Sequence, residues 1–234
     1  MSAPINDKSP RTRFGSLAVG DVLSERYRID GLIGEGGFAA VYRATDARTK
    51  QAVAVKLLHA HMTGASDFAL RFQTEVEIAS RLRHPNTIRV FDTGVSPVGA
   101  PFLVMELLDG ESLEDVLSRT GPLPPERVKG IISQVLRSLR EAHSRQIVHR
   151  DIKPANVFLC RMEGEADFVK LLDFGIAKSL DEAGDQAKTA TGALLGTVGY
   201  LAPERLRSFS NDPATDIYSL GIMMVELLEG TPPY

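Results

Sequence analysis

The sequence predicts an α+β chain in two parts, strands first and helices after, and three observations carry that expectation. Between Tyr27 and Leu108 the apolar residues fall in short extended runs: Tyr27 and Ile29 alternate with Arg28 and Asp30, and AVAVKLL at 52–58 and the stretch Phe102 to Leu108 follow. Beyond Ser112 the period becomes helical, with Val128, Ile131, Ile132, Val135, Leu139 and Ala142 on one face. A length of 234 residues supplies enough material for one large domain or two lobes with their own cores.

Residues 1–25 are rich in Ser, Pro, Arg and Gly and lack a period, so they are expected as a flexible arm. Next comes a glycine-rich bend, Gly34-Glu35-Gly36-Gly37, between two strands. Without a Cβ in the way, its backbone amides can approach phosphates. The strand Val41 to Ala44 follows the bend where a dinucleotide fingerprint would need a helix, which excludes that reading.

Lys56 interrupts a buried-strand pattern, and a buried cation requires an acid. On the helix capped by Ser66 or Asp67, the residues Phe68, Phe72, Glu75, Ala79 and Leu82 share a face while Glu77 points away. Glu75 is therefore the inward acid. His59 and His61 have no acid or cysteine nearby to complete a metal set and are expected in a solvated loop.

His84 to Asn86 reads as a turn and Ile88 to Phe91 as a strand. Ser112 should cap a short helix ending near Gly121, and Pro124 and Pro125 should open the long amphipathic one. A hairpin of Val157 to Leu159 and Phe168 to Leu172, turning around Gly164, would set Asn156 beside Asp173. From Ile176 to Leu201 no apolar period survives, and a loop of that length in a compact domain is usually functional or disordered.

The stretch HRDIKPAN, 149–156, concentrates the chemistry. Asp151 is a candidate proton acceptor, Lys153 a cation for a phosphoryl group in transit, and Asn156 an amide ligand for Mg²⁺; phosphoryl transfer uses that combination. With VAVK at 53–56, DFG at 173–175 and APE at 202–204, in that order, the chain resembles the protein kinase family from Tyr27 onward. Within the family it is most similar to the eukaryotic-like (Hanks-type) serine/threonine kinases of bacteria.

The resemblance implies a bilobal fold, with an N-lobe and hinge at 26–108 and a mainly helical C-lobe at 109–234 that lacks its last helices. It implies transfer of the ATP γ-phosphoryl group to Ser or Thr of proteins, with Mg²⁺. Gly34, Gly36 and Phe38 would cover the phosphates, with Ala39 in the place of the family's third glycine. Val41, Ala54 and Phe158 would enclose the adenine, Met105 would stand beside it, and backbone groups of Glu106 and Leu108 would bind its edge. Lys56, fixed by Glu75, would hold the α and β phosphates. Asn156 and Asp173 would hold the metal, while Asp151 and Lys153 would serve the transfer. Residues 176–201 would be the activation segment, with Thr189 or Thr191 autophosphorylated, through self-association in trans, and paired to Arg150; Thr197 would meet the catalytic Asp and Lys. Asp216 would brace the catalytic loop. The alternative is an inactive truncated fragment that binds nucleotide or a partner.

Composition narrows the remaining classes. A net charge of −3 without basic runs argues against a nucleic-acid partner. The one cysteine, Cys160, allows no internal disulfide and is expected as a structural thiol. No stretch approaches the roughly 20 apolar residues of a membrane helix, and no signal peptide is present, so a cytoplasmic location is expected.

Overall fold

The computed structural model describes residues 17–37, 39–59, 76, 79–162, 164–174, 199–206 and 212–233. Six strands form the first sheet: β1 (Val22–Leu23), β2 (Tyr27–Glu35), β3 (Ala39–Asp46), β4 (Ala52–Leu58), β5 (Val90–Val95) and β6 (Pro101–Glu106). They lie in the order β1-β2-β3-β4-β6-β5, every neighbouring pair antiparallel. The segment expected as an arm ends inside this sheet, because Leu23 is buried and pairs with Tyr27. Alternation explains the sheet: Tyr27, Ile29, Tyr42, Ala44, Val53 and Val55 turn into one core while Arg28 and Arg43 stay outside.

The expected strand Ile88 to Phe91 is shifted, beginning at Val90. Ile88 is drawn toward the second sheet, where its N–H donates to Leu171 O at 2.9 Å. Of the helix expected between Ser66 and Leu82, Val76 and Ala79 are helical, and both are buried.

Among the described residues the second part holds a three-stranded antiparallel sheet, β7 (Gly110–Ser112), β8 (Val157–Met162) and β9 (Glu165–Leu171), and three helices, α1 (Leu113–Thr120), α2 (Pro125–Ser144) and α3 (Ala214–Glu229). Ser112 caps α1 by accepting from Asp115 N (3.1 Å), and Gly121 closes it at φ +71°. Val128, Ile131, Ile132, Val135, Leu139 and Ala142 of α2 are buried as their period requires, against Leu113, Val157, Val169, Leu171 and Met223. On α3 an apolar stripe, Ile217, Met224 and Leu228, is exposed.

Candidate active site

Two adjoining structures build the site: the turn that leads into β8 and the strand pair β8–β9 that returns the chain to Asp173. A short 3-10 turn, Pro154–Asn156, buries Asn156. Both of its amide hydrogens go to Asp151, at 2.7 Å to the backbone oxygen and 2.9 Å to Oδ2. Lys153 Nζ approaches the same Oδ2 at 3.2 Å. The Asp151 carboxylate is therefore fixed by a neutral amide and a cation together. Leu172 N donates to Asn156 O at 2.8 Å, which brings the residue before Asp173 against the turn.

His149 is fully buried behind this loop. Its Nε2–H donates to Leu172 O (2.7 Å), and its Nδ1 accepts from Asp151 N (3.3 Å). Its ring lies 4.6 Å from that of Phe174. One donating and one accepting nitrogen describe a neutral imidazole, and burial pushes its pKa below the usual value.

Asp216, near the start of α3, supports the loop from beneath. Oδ2 accepts from His149 N and from His143 Nε2, and Oδ1 accepts from Arg150 N, each at 2.8 Å. Burial works to raise its pKa, but the His143 hydrogen bond and the two backbone N–H groups outweigh it and hold the carboxyl below the ordinary range. The braced backbone is strained, with Arg150 at φ +67° and its carbonyl taken by Arg205 Nη1 at 2.9 Å.

Lys56 crosses to the second part of the chain, where its Nζ lies 2.6 Å from Asp173 Oδ2. Its expected partner Glu75 lies outside the described residues, as do Phe38, Thr189, Thr191 and Thr197. Lys56 stands opposite Val41 in the sheet, and Val41 stands opposite Gly34, so one register carries the glycine bend, Val41 and the lysine. Ala54 is buried opposite Met105, and Phe158 on β8 lies opposite Ser112.

Several side chains carry roles that pattern alone did not assign. His59, directly after β4, is half-buried, and its Nε2 donates to Gly36 O at 2.9 Å, which ties it to the glycine bend. Lys170 on β9 reaches Glu106 Oε1 at 2.6 Å, and Arg89 N donates to the same carboxylate oxygen at 2.7 Å, so Glu106 at the end of β6 is gripped through its side chain. The signal was present in the sequence, since Lys170 interrupts a buried strand as Lys56 does. Tyr200 donates to Glu226 Oε2 on α3 while Ser219 Oγ donates to Tyr200 O, anchoring the chain just before APE; burial pushes the Glu226 carboxyl up. Cys160 is half-buried, and burial raises its pKa, as suits a structural thiol.

Comparison with known proteins agrees with this arrangement. The protein kinase domain family matches residues 27–234. The chain is 41% identical over 217 residues to serine/threonine-protein kinase pkn3 of Myxococcus xanthus, covering 92% of this chain and 40% of that protein. It is 40% identical over 215 residues to serine/threonine-protein kinase PknB of Mycobacterium tuberculosis strain H37Rv, covering 91% and 34%. The chain thus spans less than half the length of these relatives. Among solved structures, the Mycobacterium tuberculosis PknI kinase domain superposes with a TM-score of 0.76 at 29% identity, over 94% of this chain and 80% of that one. The chain belongs to the protein kinase family.

Proposed function

We propose that the chain transfers the γ-phosphoryl group of ATP to serine or threonine hydroxyls of proteins. One observation carries the reading: the Lys56–Asp173 pair at 2.6 Å and the Asp151–Lys153–Asn156 cluster meet where Leu172 N binds Asn156 O. That junction, with Lys56 Nζ reaching in from β4, supports a set made of a phosphate-binding cation, two metal-ligand types and a hydroxyl acceptor. The relatives' names, both serine/threonine-protein kinases, support the substrate class.

The residues fit a magnesium ion. Asn156 spends both amide hydrogens on Asp151, which leaves its amide oxygen to face a cation, and Asp173 adds a carboxylate. Mg²⁺ is commonly held by one or two protein groups with phosphates completing the shell, and when bound it neutralises charge on the phosphates. Lys56 exchanges Asp173 for the α and β phosphates. Asp151 accepts a hydrogen bond from the substrate hydroxyl and orients its oxygen for attack. Lys153, already beside that carboxylate, stabilises charge that develops on the transferring group. Bond formation by the hydroxyl oxygen accompanies loss of ADP, and the hydroxyl proton leaves toward Asp151.

Intact-mass spectrometry before and after incubation with Mg²⁺ and ATP tests the reading without a known substrate. The wild type should gain phosphate, at Thr189 or Thr191, and Asp151→Asn should gain none. Nucleotide binding with no added mass, on the chain or on a generic protein substrate, would instead support an inactive nucleotide-binding fragment.

A further inference from the structure

Among the described residues, little packs against Gly36 and Gly37 at the end of β2. A Cβ built on Gly37 would meet nothing within 4 Å, one on Gly36 would meet only Ala39 O at 3.8 Å, and Leu32, Ile33 and Glu35 in the strand before them are exposed. Among the described residues, two hydrogen bonds involve Gly36. Its N–H donates to Ala39 O (2.9 Å) and closes the turn, and its C=O accepts from His59 Nε2 (2.9 Å).

The second bond has a geometric consequence. The carbonyl of Gly36 and the N–H of Gly37 belong to one planar trans peptide unit and point in opposite directions. Between two glycines such a unit rotates at small steric cost, so its orientation must be set from outside. His59 sets it, by holding the carbonyl on its own side and turning the Gly37 N–H the other way. The Gly36 N–H is occupied by Ala39 O, so among the described residues of the turn the Gly37 amide is the donor left to offer an anion. A freely rotating unit would instead present its carbonyl to the phosphates for part of the time, and a carbonyl oxygen repels them.

We propose that His59 is a positioning residue for nucleotide binding: by holding the Gly36 carbonyl, it presents the Gly37 N–H to the phosphates of ATP. This rests on the kinase reading above. The side chain comes from the residue directly after β4, the strand that carries Lys56, so the cation and the amide meant for the phosphates are set by one strand.

The test compares calorimetric affinities for Mg²⁺-ATP and for adenosine, which lacks phosphates, in the wild type, His59→Ala and His59→Gln, with melting temperature as a fold control. His59→Ala should weaken ATP binding about three- to ten-fold, the range of one hydrogen bond, and leave adenosine within about two-fold. His59→Gln, which keeps an N–H donor, should stay near the wild type for both ligands. Unchanged ATP affinity in His59→Ala would overturn the proposal. So would equal weakening of ATP and adenosine, which would mark a general structural role, or failure of Gln to rescue in a variant that melts normally. A wild type that binds neither ligand would overturn the kinase reading itself and the role of His59 with it.

Discussion

Replacing Asp216 by Asn removes one charge and one acceptor from beneath the catalytic loop while keeping the shape. The carboxylate accepts three hydrogen bonds at 2.8 Å, two on Oδ2 and one on Oδ1. If the amide oxygen takes the Oδ2 place, the NH₂ faces Arg150 N–H, donor against donor. In the opposite orientation, His149 N and His143 Nε2 both lose their acceptor. A buried donor left unsatisfied costs about 1–3 kcal/mol and hydrogen bonds to a charged group contribute about 1.5–3, so Asp216→Asn should lose about 2–4 kcal/mol. That is a large part of a domain's ~5–15 kcal/mol margin, yet compatible with folding. The second effect is on chemistry: Arg150 keeps φ +67° only while its surroundings insist on it, and Asp151 is the next residue. Urea unfolding would read the first effect. Phosphate transfer at saturating ATP would read the second, with a fall of at least about ten-fold expected, equivalent to ~1.4 kcal/mol on the barrier. A variant with stability within 0.5 kcal/mol of wild type, on the scale of an ordinary surface change, and with full activity would refute the bracing role.

Three further outcomes are expected. Lys56→Met should abolish transfer in the intact-mass assay and cost under about 1 kcal/mol in urea unfolding, because its Asp173 partner is more than a third exposed; transfer at the wild-type rate would remove Lys56 from the mechanism. Gly110→Ala should destabilise by about 2–5 kcal/mol, since its Cβ would lie 2.0 Å from the Leu159 carbonyl oxygen at φ +153° and the β7–β8 pairing must part; an unfolding midpoint equal to wild type would contradict that register. The third concerns acid. His149 is held neutral with a folded pKa below the unfolded ~6.5, so the unfolded chain binds the extra proton and stability falls as pH drops from about 6.5 toward the depressed folded value. Melting temperature against pH should therefore show a loss over that window that is smaller in His149→Phe, and an identical slope in both proteins would exclude His149 as its source.

Much of the fold was legible because its signals are local. The buried face of α2, the Ser112 cap, the Gly121 terminus and the β8–β9 hairpin each rest on residues within a few positions of one another, and periodicity or cap chemistry suffices to read them. The motif residues of the candidate site were legible in the same way, since Asp151, Lys153 and Asn156 lie within six positions and touch within one turn. The start of β5 was misplaced because the N–H of Ile88 is claimed by Leu171, a residue 83 positions away. The tie between His59 and the glycine bend was not legible for a similar reason, its partner being a backbone carbonyl that no side-chain pattern records.

The sequence by itself determined the order of the elements, the faces they bury and the set of polar groups available for phosphate transfer, because these follow from side-chain period and residue type. Only the tertiary structure decided which of those groups meet. Asp216 reaches a loop 66 residues earlier, Lys170 grips Glu106 at the end of β6, and Lys56 closes on Asp173. Such pairings depend on where two distant backbones cross, and that is set by the packing of whole sheets and helices against each other, a property that belongs to no short stretch of chain.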